Sequence, residues 1–407
     1  MRYLNLAGRL FGGIVFIFSG FVKGIDPAGT QIKFSDYLAA AGISLPDNIL
    51  LVAAMMLCAS EFLIGISLIT GSFYKLGVIG FLIFMGIFTP LTLILAIYNP
   101  VSDCGCFGDA VHLTNWQTFL KNLILIVPGI LLAFLMGRFP PAIGKRHSTI
   151  IAAITIVMFT GFMLHNIRYN PIIDFRPYKI GTNIPESMSI PANAPQPEFD
   201  VTFLYKKDDV VKEFTIENYP AGDSTWEFVD QKSVIKKKGY EPPIKDLFIS
   251  TVDGIDITNL IIQDRGYTLL MISHNLLKAD RKEIEAGMSA GFNCAPNNIS
   301  FYVITGSSAS EIESYRNGLN FGVADKTLLK TIVRTNPGYI LIKDGTIIGK
   351  WSAAGLPPVD YFATDPLANT LRYSNNLNAV FVIVLYLLVS AILFLVADRY
   401  LYKSLKN

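Results

Sequence analysis

Charge is scarce in this sequence. Of 407 residues only 16% are Asp, Glu, Lys or Arg, against 51% hydrophobic and a mean hydropathy of +0.43, which excludes a purely soluble enzyme. A concentrated basic face is missing too: the net charge is +2 and the pI near 8.2, so nucleic acid is not an expected partner. Cysteine occurs only four times. No small-residue cleavage site follows the first apolar run, so that run reads as a retained span rather than a removable signal. The few charges are unevenly placed. Residues 1–166 hold 15, residues 167–377 hold 47 and the last 30 residues hold 4, which divides the chain into a membrane block, a polar block and a terminal anchor.

Six runs are long and apolar enough, at about 20 residues, to cross a bilayer as helices: 4–22, 49–69, 76–97, 116–136, 148–164 and 379–396. Cations near span ends stay on the cytoplasmic side. Arg2 and Arg9, Lys75, the set Arg138, Lys145 and Arg146, and the set Arg399, Lys403 and Lys406 share one side if both termini are cytoplasmic. The loops 24–48 and 99–115 and the block 166–376 then face the periplasm, where disulfides persist. A bacterial inner-membrane location is expected.

Two of the cysteines lie together in Asp103-Cys104-Gly105-Cys106-Phe107-Gly108-Asp109. Thiols two residues apart are within reach of a disulfide, and Gly105 relaxes the backbone. So tight a ring would be labile, which suits electron exchange. Two other readings stay open: a disulfide that pins the loop, and soft-metal (copper or zinc) binding with His112 or Cys294 as a further ligand. His112 either assists thiolate formation or sits at the interface beside Trp116, which reads as a headgroup-level anchor.

A carboxylate inside a span is costly and marks a proton or ligand path, or an interhelical pair. Glu61 is such a group, roughly 18 Å along its span from Ile49. Arg9 is the expected partner, unless it snorkels to the headgroups. Cys58, one turn earlier on the same face, reads as a small apolar residue or as a thiol relaying electrons toward a quinone.

The runs Phe18-Ser19-Gly20-Phe21-Val22-Lys23-Gly24-Ile25-Asp26-Pro27 and Phe34-Ser35-Asp36-Tyr37-Leu38, with Glu61, Gly65, Leu68 and Gly71, resemble the DoxX-type membrane proteins. Cys104-Gly105-Cys106-Phe107-Gly108 with Trp116 and Asn122 is similar to the MauE branch, the methylamine-utilisation membrane proteins. The resemblance spans residues 1–136. It implies a four-helix membrane bundle associated with disulfide formation in exported proteins or with quinone-linked sulfur redox chemistry. The implied site residues are Cys104, Cys106 and Glu61, with Lys23 beside them.

Pro171, Pro177, Pro185, Pro191, Pro195 and Pro197 make an extended linker, followed by expected strands at 200–205, 210–217 and 224–234. After Pro242 the pattern predicts a hairpin of 245–251 and 255–259 across Asp253-Gly254. It then predicts strand 267–273, helix 279–290, strand 299–304, helices 309–317 and 326–333, and a closing hairpin from Asn336-Pro337 through Asp344-Gly345 to Trp351. This order resembles a thioredoxin fold of TlpA type, with Pro337 where that fold keeps a cis proline. The position of the usual Cys-x-x-Cys reads Ser273-His274-Asn275-Leu276-Leu277-Lys278, so this domain cannot run dithiol exchange alone. It is expected to bind a client or position a partner. Cys294 reads as buried, or as a resolving thiol for the loop pair.

The fold class that follows is an α-helical polytopic membrane bundle, a four-helix DoxX/MauE-like core plus two further spans, with an external α/β thioredoxin-like domain. The expected domains are 1–136, a four-helix membrane domain; 137–166, a fifth span; 167–239, a linker and small β region; 240–362, a thioredoxin-like domain; and 363–407, a terminal anchor. The expected function is thiol-disulfide redox through Cys104, Cys106 and Glu61, with a membrane quinone as the implied cofactor. The implied partner is an exported thiol protein or thioredoxin-like protein. The rival is a non-catalytic scaffold or assembly factor, and a third option is copper or zinc handling.

Overall fold

The computed structural model describes residues 1–358 except 102, 139–142, 209 and 238, together with 366–367 and 369–370. The expected span 379–396 lies outside the described residues. The chain divides into two compact units, one of Met1–Gly181 with Phe248–Asn407 and one of Thr182–Leu247.

The first unit opens with six helices: α1 (Arg2–Ile25), α2 (Pro27–Ala40), α3 (Asp47–Thr70), α4 (Tyr74–Tyr98), α5 (Asn115–Leu135) and α6 (Lys145–Tyr169). All but α2 are long and apolar enough to cross a membrane. Ile79, Ile83, Ile87, Ile94 and Ile97 form an exposed stripe down α4, an apolar face at helical spacing that suits lipid. The ends follow the sequence. Asp26 caps α2, accepting from the Gly29 backbone N–H at 2.9 Å, with Pro27 at the first helical position. Gly71 ends α3 in the left-handed region at φ 77°, and Thr114 with Gln117 forms a capping box on α5. The segment 24–48, expected as a loop, therefore contains a helix whose start signal was Asp26-Pro27.

Small residues bring α1 against α3. A methyl group on Gly65 would lie 2.7 Å from the Ile17 backbone nitrogen and 2.8 Å from the Gly13 carbonyl oxygen, so the two backbones touch as only glycine permits. Phe16, Leu68, Val78, Phe81, Leu125 and Leu132 fill the core among α1, α3, α4 and α5. Asn5 donates to the Tyr74 hydroxyl at 2.8 Å, and Asn122 to Thr92 Oγ1 at 3.1 Å, adding polar ties between helices.

The same unit carries a five-stranded sheet. After α8 (Thr258–Ile262) come β4 (Tyr267–Ser273), α9 (Arg281–Phe292), β5 (Ile299–Thr305), α10 (Ala309–Glu313), β6 (Asn320–Val323), α11 (Lys326–Ile332), β7 (Gly338–Lys343) and β8 (Thr346–Ser352), numbered after three strands and a helix of the second unit. The order is β6-β5-β4-β7-β8. β4, β5 and β6 run parallel, while β7 is antiparallel to β4 and to β8. β4 is buried along nearly its whole length, as expected for a central strand covered on both faces. Asp344 and Gly345 both take positive φ, 48° and 72°, the tight hairpin that Asp-Gly favours. The Asn336-Pro337 bond is cis. The hairpin expected at 245–259 forms only an isolated bridge, Ser250 to Asp256, and Thr258 starts α8 instead of ending a strand.

The second unit holds α7 (Ile184–Met188) and an antiparallel sheet of β1 (Glu198–Lys207), β2 (Val210–Thr215) and β3 (Glu227–Lys237), ordered β2-β1-β3. Tyr205 meets Phe214 and Phe228 edge-on, and Phe214 meets Trp226 likewise. These pairs supply much of the apolar contact of a small sheet.

Candidate functional site: a thiol turn over a buried ion pair

The 99–115 loop is closed at its base by Asn115, which donates to Asn99 Oδ1 at 2.8 Å and to the Val101 carbonyl at 2.9 Å. Inside it, Asp103 Oδ1 accepts from the Gly105 N–H at 2.8 Å, and the Gly108 N–H donates to the Gly105 carbonyl at 3.0 Å. Gly105 sits at φ 64°, a left-handed conformation costly for a residue with Cβ. The turn brings the Cys104 and Cys106 sulfurs to 3.0 Å, beyond the ~2.05 Å of a bond, and both thiols are free.

The bundle holds this turn at several points. The Tyr37 hydroxyl, from α2, donates to the Cys104 carbonyl at 2.5 Å, and the Ser19 hydroxyl, from α1, donates to the Cys106 carbonyl at 2.8 Å. Lys33 pairs with Asp103 at 3.1 Å, and the Lys121 ammonium lies 4.5 Å from the centre of the Phe107 ring. Cys104 is buried and Cys106 partly exposed. The two thiols are driven apart in acidity. The hydrogen bond from Cys104 pulls Cys106 down to about 6, helped by Lys121 and Lys23 against burial. The same bond, then burial, pushes Cys104 well above the ordinary thiol range. Burial foremost, then Cys104, raises the Tyr37 hydroxyl.

Beneath the sulfurs a small cavity is walled by Phe16, Phe34, Phe84, Met85, Phe88 and Leu125 and also reached by Lys23, Lys121 and Glu61. Lys23 Nζ donates to Glu61 Oε1 at 2.6 Å, both side chains at least nine-tenths buried. Glu61 Oε2 has no hydrogen-bond partner among the described residues. Arg9 is not the partner of Glu61: its guanidinium donates to the Leu68 carbonyl at 2.7 Å and the Ile69 carbonyl at 3.1 Å, capping the end of α3 one helical turn or more beyond Glu61. Cys58 is buried beside Phe159 and Met163, in a setting that favours packing.

Residues 1–136 match the family model for Methylamine utilisation protein MauE. This membrane region is of MauE type. Residues 199–238 match a Domain of unknown function (DUF8463). No curated protein and no solved structure matches the chain.

The site residues expected from the sequence thus fall together in the MauE-type region: Cys104 and Cys106 at the mouth of the cavity, Glu61 and Lys23 inside it. His112 stands exposed, and the polar groups that reach the thiol turn are Tyr37, Ser19, Lys33 and Lys121. Cys294 is fully buried in the core of the five-stranded sheet with Met271, Ile284 and Val303. Burial there pushes its thiol up to about 11, which argues against a resolving role. Among the described residues no three His, Cys, Asp or Glu side chains gather at metal-ligating spacing.

The sheet region meets the MauE-type region through charged groups. Arg334 Nε donates to Asp26 Oδ2 at 2.7 Å and its Nη2 to Asp109 Oδ2 at 3.1 Å. Lys278 pairs with Asp47 at 3.1 Å on the surface. In the segment after α6, Asp174 receives Arg176 Nε at 2.7 Å and Lys350 Nζ at 2.5 Å, while Arg176 Nη1 donates to the Thr331 carbonyl at 3.1 Å. That segment, expected as an extended linker ordered by its contacts, is bound to β8 and α11. Burial foremost, then Arg176, depresses Lys350 to about 7. In the Ser273-His274-Asn275 turn, Ser273 Oγ donates to Asn336 Oδ1 at 2.8 Å and Asn336 Nδ2 to the Asn275 carbonyl at 2.8 Å. Burial foremost, then Lys330, lowers His274 to about 4.

Proposed function

We propose that this membrane protein is a thiol-disulfide redox protein whose working pair is Cys104 and Cys106. The observation that carries the reading is the geometry of the pair: two free sulfurs 3.0 Å apart in a turn gripped by the bundle, over a cavity containing a buried charge pair. Cys106 is the attacking thiolate. It attacks one sulfur of a client disulfide, and the client's other sulfur leaves and takes up a proton. The Cys104 thiol then gives up its proton and attacks Cys106 Sγ, closing the Cys104–Cys106 disulfide and releasing the client's first sulfur. Two electrons pass to the client, and the reverse path oxidises a client dithiol.

A membrane quinone fits the cavity chemically. Its wall is aromatic, and Glu61 Oε2 offers a buried acceptor to a hydroxyl. In the reverse direction, where a client dithiol is oxidised and the pair is left as two thiols, a quinone bound there would supply the acceptor for the two electrons and two protons of reoxidation. Lys23 orients Glu61 through Oε1, leaving Oε2 to take a proton at the cavity wall. The sheet region, with its cis Pro337 and no Cys-x-x-Cys, is read as a thioredoxin-like domain acting by binding. The distribution of Lys and Arg supports a bacterial inner membrane with both termini cytoplasmic and the thiol turn periplasmic.

The test is trapping. Cys104→Ser removes the resolving thiol, so the Cys106 mixed disulfide with an exported protein should accumulate in cells, visible as a reductant-sensitive adduct that Cys106→Ser does not form. Absence of any adduct, with the redox state of the wild-type pair unchanged under respiratory block, refutes the redox reading and leaves the scaffold.

A further inference from the structure

The side chain of Arg334 is nine-tenths buried, and its three nitrogens are all committed. Nη1 donates to the Lys330 carbonyl at 2.8 Å, anchoring the guanidinium to the end of α11, two residues before it in the chain. Nε and Nη2 reach Asp26 and Asp109, carboxylates 308 and 225 residues away in sequence. Asp26 is the cap of α2, the helix whose Lys33, Phe34 and Tyr37 line the cavity and grip the thiol turn. Asp109 lies three residues past Cys106 in that turn. One guanidinium therefore ties two walls of the cavity mouth together. α2 is pressed against it, since a methyl group on Gly29 would lie 2.6 Å from Asp26 Oδ2 and 3.1 Å from Arg334 Nη2.

We propose that Arg334 is a positioning residue by which the sheet region holds the cysteine turn and α2 closed, so that release of this clamp gates access to Cys106. The sheet region then acts on the thiols in cis, as a latch, in addition to any binding of clients. Charge-assisted bonds to two carboxylates fix geometry, and their loss frees both walls at once.

The test uses the purified full-length protein in nanodiscs, each cysteine read by peptide mass spectrometry. The ratio of Cys106 labelling by a bulky polyethylene-glycol maleimide to labelling by iodoacetamide reports access and cancels changes in thiol acidity. Arg334→Ala and Asp109→Asn are each expected to raise that ratio by about tenfold. Their combination should rise no further, and Arg334→Lys should fall back toward wild type, with Cys294 unlabelled throughout. If Arg334→Ala labels at Cys294 its sheet region has opened, and Asp109→Asn alone then decides by the same measure. A ratio within about threefold of wild type in folded variants overturns the clamp. The proposal rests on Cys106 being the working thiol. Labelling needs no turnover, so its failure is separate from a failure to trap a client.

Discussion

Replacing Cys104 with alanine removes the largest influence on Cys106 acidity while leaving Lys121 and Lys23 in place. With Cys106 at about 6, roughly 90% is thiolate at pH 7; at the ordinary value of 9.0 only about 1% would be. A full return would cut the thiolate fraction about ninety-fold. The less acidic thiolate is a better nucleophile, by about 15–30-fold for three units at a Brønsted slope of ~0.4–0.5. Alkylation at pH 7 should therefore slow only about 3–6-fold, while the plateau above the new midpoint rises about 15–30-fold. Rate against pH, measured with iodoacetamide in detergent, separates the two effects. Cys104→Ser, which keeps a hydroxyl donor, should fall between. A midpoint in Cys104→Ala that stays at the wild-type value, or a wild-type midpoint at the ordinary thiol value, refutes the polarised pair.

Three further outcomes follow from the packing. Glu61→Gln leaves the Lys23 ammonium buried without its counter-charge and should cost about 3–5 kcal/mol, seen as a lowered thermal midpoint in detergent. The pair Lys23→Met with Glu61→Leu should recover most of that loss, and a double variant no more stable than Glu61→Gln would refute this account of the pair. Gly65→Ala forces a methyl group into the Gly13 and Ile17 backbone and should destabilise by about 1–3 kcal/mol; a neutral effect in thermal unfolding would show that α1 and α3 have slack. Burial foremost depresses His274 from 6.5 to about 4, with Lys330, Lys278 and Lys326 also opposing its charge and Asp47 favouring it. The unfolded chain takes up this proton first, so the stability tied to neutral His274 is complete above pH 6.5 and is lost as pH falls toward 4. His274→Gln should flatten the thermal midpoint across that window, and an unchanged slope would count against it.

Much of the bundle was legible because a hydrophobic run is a local signal: the expected spans 4–22, 49–69, 76–97, 116–136 and 148–164 each lie largely within a helix. The strand 267–273 was readable for the same reason, as a short apolar run between polar turns. What failed was weakly periodic. α2 has little apolar bias, so only Asp26-Pro27 marked it, and β6, four residues long, gave too short a pattern to register. In the site, Glu61 and the cysteines announced themselves by chemistry. The partner of Glu61 did not, because Arg9 and Lys23 are both cations on α1 and the packing of α1 on α3 decides which one arrives. Lys121 satisfies the same rule for a charge within an apolar span that singled out Glu61, and was overlooked because it lies near a helix start. Arg334 left no trace in the sequence, since nothing local links a residue to carboxylates hundreds of positions away.

Ser19 and Lys23 stand one turn apart on α1, about 6 Å along its axis. The first holds the carbonyl of Cys106 and the second holds the carboxylate of Glu61. A helix is stiff over so short a span, so the two grips travel as one piece. Whatever shifts the backbone at the sulfurs when a covalent link forms or breaks there also tugs on the ammonium below, and electron and proton events at the two levels share a single mechanical rod.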